Sequence, residues 1–113
     1  QLRRKDGSAL WDGGSFRAAN GYTYIASRGE NRSSPRRSWT SATSRAVYPV
    51  EWVVQTPADF YTVRAVLDDQ ELDSRASTGS IYWEGLSDLL DSQGRRVGRG
   101  YLEMTGYAQP LRL

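Results

Sequence analysis

Apolar and polar residues alternate along most of this chain, and turn-forming residues interrupt the alternation roughly every ten residues. The clearest run is Val47 to Thr56, where Val50, Trp52 and Val54 share one face and Glu51, Val53 and Gln55 the other. Pro57-Ala58-Asp59 then turns the chain, and Phe60 to Leu67 returns with Tyr61, Val63, Ala65 and Leu67 on an apolar face. Ser80 to Leu86 places Ile81 and Trp83 against Tyr82 and Glu84. The last strand, Val97 to Ala108, puts Tyr101, Glu103, Thr105 and Tyr107 on one side and Leu102, Met104 and Gly106 on the other. Glu103 between two tyrosines is the odd feature, because a carboxylate on an inward face is costly unless it is paired or used.

The N-terminal part reads the same way. Gln1 to Lys5 ends a strand at the turn Asp6-Gly7-Ser8, and Gly14 to Ala18 forms a short strand. Asn20-Gly21 predicts a type I′ hairpin leading into Tyr22 to Ser27. Three stretches lack the alternation. Arg28 to Ala46 is rich in Arg and Ser and reads as a long loop anchored by Trp39. Asp68 to Gly79 reads as a polar connection, and Leu86 to Leu90 as a helical turn before Asp91 to Gly94. Seven antiparallel strands predict an all-β barrel or sandwich, within one domain spanning residues 1–113. The first segment begins in mid-strand, so the barrel is expected to be incomplete.

Composition narrows the chemistry. The chain has no Cys and no His. That excludes disulfides, zinc sites built on those residues, and Ser-His-Asp or Cys-His catalysis within this chain. Any acid–base work falls to Asp, Glu, Tyr, Lys or water. With 15 basic and 13 acidic residues the net charge is only +2, so the basic clusters read as solvated loops and no nucleic-acid partner is expected. No apolar run is long enough for a transmembrane helix. Gln1-Leu2-Arg3-Arg4-Lys5 is charged and lacks both an initiator Met and an apolar signal region. A mature product or a fragment is expected.

Six segments together carry a family resemblance. They are Leu2-Arg3-Arg4 with Asp6-Gly7-Ser8, Trp39-Thr40-Ser41, Tyr48-Pro49-Val50-Glu51-Trp52, Asp69-Gln70-Glu71-Leu72, Tyr82-Trp83-Glu84-Gly85, and Gly100 to Tyr107. In order and spacing they resemble the C-terminal half of the AttH-like, lipocalin-fold proteins. That family includes carotenoid 1,2-hydratase (hydroxyneurosporene synthase), kievitone hydratase and bacterial predicted secreted hydrolases. The resemblance implies a lipocalin-like barrel, an upstream lipocalin-like domain of the same protein as partner, and a hydrophobic, isoprenoid-like ligand. It also implies a periplasmic, secreted or membrane-associated setting, although the sequence itself fixes no compartment. It implies no cofactor and no metal.

Hydrating an isoprenoid double bond requires a protonated acid in apolar surroundings and aromatic faces for the carbocation. The resemblance points to Glu84 as the acid, Tyr82 two residues earlier on the same face, and Trp52 as the aromatic wall. Glu stands where the hydratases favour Asp. Trp83, Tyr101, Glu103 and Tyr107 are the expected ligand-binding residues. Ion pairing of Glu84 or Glu103 with Arg64, Arg75 or Arg99 is the structural alternative, and Trp52 and Trp83 are equally at home in a core. Gln70, Glu71 and Asp73 read as a loop cluster around Arg75. Three functions remain open: an enzyme of the hydratase or cyclase type, a non-catalytic binding module, and a structural domain with a filled barrel.

Overall fold

The structure, a computed structural model, describes residues 1–109. Among these are ten strands and no helix: β1 (Leu2–Arg3), β2 (Ala9–Trp11), β3 (Gly14–Arg17), β4 (Thr23–Ala26), β5 (Arg32–Thr40), β6 (Val47–Gln55), β7 (Phe60–Ala65), β8 (Glu71–Ser74), β9 (Ser80–Leu90) and β10 (Arg96–Met104). Every pairing is antiparallel. The fold is all-β, as the alternation predicts. The main sheet runs β10-β9-β7-β6-β5 with β8 also on β9, and it stays open rather than closing into a barrel. β1–β2 and β3–β4 form two separate hairpin sheets.

Three of the hairpins share one turn. The N–H groups of Arg4, Ala18 and Asp91 each donate to the carbonyl four residues on, Ser8, Tyr22 and Arg95. Gly7, Gly21 and Gly94 donate back to Arg4, Ala18 and Asp91, and all three glycines have positive φ. This is a type I turn followed by a left-handed residue, a conformation that suits glycine. The type I′ expectation at Asn20-Gly21 is thereby corrected, because Asn20 keeps a negative φ while its Oδ1 accepts the Tyr22 N–H.

The three stretches without alternation depart from expectation. Arg32–Thr40 is a nine-residue strand, not a loop. It lies at the edge of the sheet, where Pro35 costs no ladder bond and arginines discourage further pairing. Its Trp39 does pack inward, stacked on Tyr48 at 6.2 Å. Glu71–Ser74 is also a strand. The expected helical turn at Leu86–Leu90 is instead the second half of the eleven-residue β9. β2 had no signal in the sequence, being only three residues long. At the other end β10 stops at Met104, so the 97–108 alternation runs past the real strand.

β9 is long enough to take two neighbours on one side. β7 pairs with its C-terminal half, Ser87 to Leu90, and β8 with its N-terminal half, Ser80 to Trp83. Between them the Gln70 side chain stands in for backbone. Its Oε1 accepts the Leu86 N–H at 2.9 Å, while its Nε2 donates to Leu86 O at 3.2 Å and to Leu67 O at 2.6 Å. Gly85 makes room for it, since a Cβ there would lie 2.5 Å from both Gln70 Nε2 and the Trp83 ring.

The inward face of the sheet carries Tyr48, Val50 and Trp52 from β6, Ala65 from β7, Trp83 from β9 and Met104 from β10, with Ala46 beside them. Trp83, Tyr48 and Val50 are fully buried. Each indole N–H is satisfied by a carbonyl, Trp83 by Asp68 O and Trp52 by Pro49 O, both at 2.8 Å. On the outward face a row of alternating charge crosses five strands: Arg37, Glu51, Arg64, Asp88 and Arg99 are successive partners. Arg99 meets Asp88 at 3.0 Å, and Arg37 turns aside to grip Asp68 with both nitrogens.

Candidate functional site

Cross-strand partners in a sheet point the same way, so register decides which candidates meet. Glu84 stands directly opposite Glu103, as the sequence allowed, and Tyr101 opposite Leu86. Trp83 stands opposite Met104 and Glu71, on the inward face. Tyr82, Glu84, Tyr101 and Glu103 therefore lie on the outward face, and Tyr101 is 77% exposed. The expectation of an inward Glu84 beside Trp52 does not match this register. Trp52 belongs to the core and is capped by the Arg3 guanidinium, 5.5 Å above its ring. Tyr107, expected on the same face as Tyr101 and Glu103, lies beyond the end of β10 and packs inward on Tyr48 at 5.7 Å. The expected ion pairs of Glu84 and Glu103 do not form among the described residues, because Arg99 goes to Asp88 and Arg75 to Asp73.

A carboxylate the sequence reading placed in a loop cluster is instead turned inward. Glu71 accepts hydrogen bonds from Ser41 Oγ at 2.8 Å and Ser44 Oγ at 2.5 Å. The Ser41 hydroxyl also accepts the N–H groups of Thr43 and Ser44, which fixes the tight β5–β6 turn. Arg45 closes that turn with a positive φ. Burial pushes the Glu71 carboxyl upward, but the hydroxyls of Ser44, Ser41 and Tyr48 outweigh it and hold the group below the usual carboxylate range. The Tyr48 hydroxyl is buried and raised well above its ordinary value, by burial first and then by the Glu71 carboxylate beside it. It lies near Glu71, yet it meets no acceptor at full hydrogen-bonding geometry. It is an electrostatic neighbour of the carboxylate. Glu71 is thus an ionised strut, poorly suited to donating a proton. Three of the resemblance segments meet here, since they contain Ser41, Tyr48 and Glu71. That convergence is the signal that was available in the sequence.

The concave feature lies elsewhere. A cavity of about 710 Å³ opens between the β3–β4 hairpin and the facing ends of β6 and β7. Phe16, Tyr22, Tyr24, Tyr61, Val54 and Pro57 form its apolar wall, with Asp12, Asn31, Ser33 and Thr56 among its polar groups. Phe16 and Tyr24 are cross-strand partners. Tyr24 is steadied by donating to Glu30 Oε2 at 2.7 Å. None of the named site residues lines this cavity. Sequence reasoning missed it because its walls come from five separate stretches, Gln1, 12–16, 22–26, 31–33 and 54–61. Among the described residues no cluster of acidic side chains is placed to hold a metal ion, and no helix is long and apolar enough to cross a membrane.

A family model of AttH-like proteins matches residues 1–107. The chain belongs to the AttH-like family. A crystal structure of a candidate AttH protein from Nitrosomonas europaea superposes on this AttH-like chain with a TM-score of 0.88 and 43% sequence identity. The match covers 95% of this chain and 33% of that one, so the AttH-like chain spans about a third of its relative's length. A comparison with curated proteins finds no match.

Proposed function

We propose that this AttH-like chain acts as a binding module for a hydrophobic, isoprenoid-like small molecule, held in the cavity under the β3–β4 hairpin. The observation that carries the reading is the cavity itself. Its volume falls in the range of small-molecule sites, roughly 300–1,000 Å³. Its walls also include large apolar side chains that folding leaves in water, with Phe16 60% and Tyr22 65% exposed. Such side chains grouped around a concavity mark a binding surface more often than scattered surface residues do. The inward face of the sheet, by contrast, is packed with its own aromatics, Tyr48, Trp52 and Trp83.

The test is titration of a fluorescent apolar polyene against the protein. Phe16→Ser and Tyr61→Ala should each weaken binding about tenfold, the loss expected for one apolar wall. Unchanged affinity in both variants refutes the reading. A second lipocalin-like domain of the same protein, and a secreted or periplasmic setting, are proposals that rest on the resemblance.

Carboxylate-catalysed hydration by Glu84, with Tyr82 and Trp52, is the second reading. One observation favours it: Glu84 and Glu103 oppose each other, which supplies two carboxylates where an acid and a base are needed. We rank it lower because Glu84 and Trp52 face opposite ways. Hydration activity of the intact protein should vanish in Glu84→Gln, and undiminished turnover would end that reading.

A further inference from the structure

We infer that the cavity selects apolar ligands whose polar end donates a hydrogen bond, an alcohol or an amine, and rejects those ending in a carboxylate; this rests on the cavity being the ligand site. Asp12 is the sole charged side chain along the described wall, and neither Arg nor Lys lines it. Its Oδ1 is occupied by the Gly29 N–H at 2.9 Å, while Oδ2 takes no hydrogen bond from the described residues. The carboxylate is positioned by that Gly29 N–H. It begins the corner Asp12-Gly13-Gly14, where a Cβ on Gly13 would meet the Trp11 ring at 2.7 Å and a Cβ on Gly14 would strike the Asn31 side chain.

The selection follows from charge. A hydroxyl or ammonium reaching Asp12 gains a charge-assisted hydrogen bond, roughly twice as strong as a neutral one. A ligand carboxylate there meets a like charge and loses water, with no Arg or Lys among the lining residues to compensate it. Carriers of fatty acids face the opposite demand, since they must compensate a buried anion.

Farnesol, farnesylamine, farnesoic acid and methyl farnesoate share one tail and differ at the head. Each is used to displace the bound polyene from the whole chain at neutral pH. The alcohol and the amine should bind roughly tenfold tighter than the acid. The methyl ester should bind more tightly than the acid, because esterification removes the repelled charge without touching the protein. Asp12→Asn, which keeps an oxygen for the Gly29 N–H, should narrow the alcohol–acid gap. Equal affinities for alcohol and acid, or an unchanged gap in Asp12→Asn, overturn the inference while leaving the cavity reading intact. If Phe16→Ser and Tyr61→Ala leave polyene binding unaltered, both fall together.

Discussion

Replacing Glu71 by alanine removes the acceptor of two hydroxyls at once. Ser41 is almost wholly buried and Ser44 half-buried, so neither regains full hydration when its partner goes. A hydrogen bond to a charged group contributes about 1.5–3 kcal/mol. Two such bonds, discounted because Glu71 itself is only half-buried, give a loss of about 2–4 kcal/mol. That is a large part of the roughly 5–15 kcal/mol that holds a domain together. The melting temperature should fall by about 10 °C or more. Urea denaturation near neutral pH measures the loss directly.

The pH dependence of Glu71 has a definite sign. Its folded pKa is depressed, so its contribution is fully present above the ordinary carboxylate value, about 4.3, and fades as the pH falls through the lower folded value. Glu71→Gln should therefore flatten part of the acid-side loss of stability seen in the parent. A loss below about 0.5 kcal/mol in Glu71→Ala, the range of an ordinary surface substitution, would refute the strut. So would an acid limb in Glu71→Gln identical to the parent's.

Gly85→Ala should cost about 1–3 kcal/mol, because the new Cβ strikes Gln70 and the Trp83 ring. Combining it with Gln70→Ala should cost less than the two separate losses added together, and a double-mutant cycle in urea checks this; additive costs would contradict the shared space. Asp88→Asn, by contrast, breaks an outward pair with Arg99 and should cost under about 1 kcal/mol, shrinking further in high salt. A loss as large as that of Glu71→Ala would mean that the outward charge row contributes far more than its exposure allows.

Much of the fold was legible wherever alternation was clean. Val47–Gln55 and Phe60–Ala65 follow the apolar pattern nearly to the residue. Legibility failed where a strand was not buried on one face. β5 is polar because it is an edge, and β8 because the two residues it places on the Trp83 side are carboxylates with polar partners, Glu71 held by Ser41 and Ser44 and Asp73 by Arg75. The candidate site was less legible. Alternation told which residues share a face, and Glu84 and Glu103 do share one, but it did not tell which face is inward. Tyr101 and Tyr107 were split because the strand between them ends, an event set by tertiary packing on Tyr48. The cavity depends on five separate stretches meeting, and no single one of them encodes that.

The outward charge row has a consequence for how the sheet finds its alignment. A strand that slips by two residues keeps every apolar side chain on its proper face, so hydrophobicity alone cannot reject the error. Slippage of β10 along β9 would even separate Glu84 from Glu103 and relieve their repulsion. It would also carry Arg99 away from Asp88. The same holds at each neighbouring strand, where Arg64 stands between Glu51 and Asp88. Individually these exposed pairs stabilise little. Together they discriminate among pairings that the core treats as equivalent, and the opposed glutamates are tolerated because the Arg99–Asp88 pair four residues along disfavours the move that would part them.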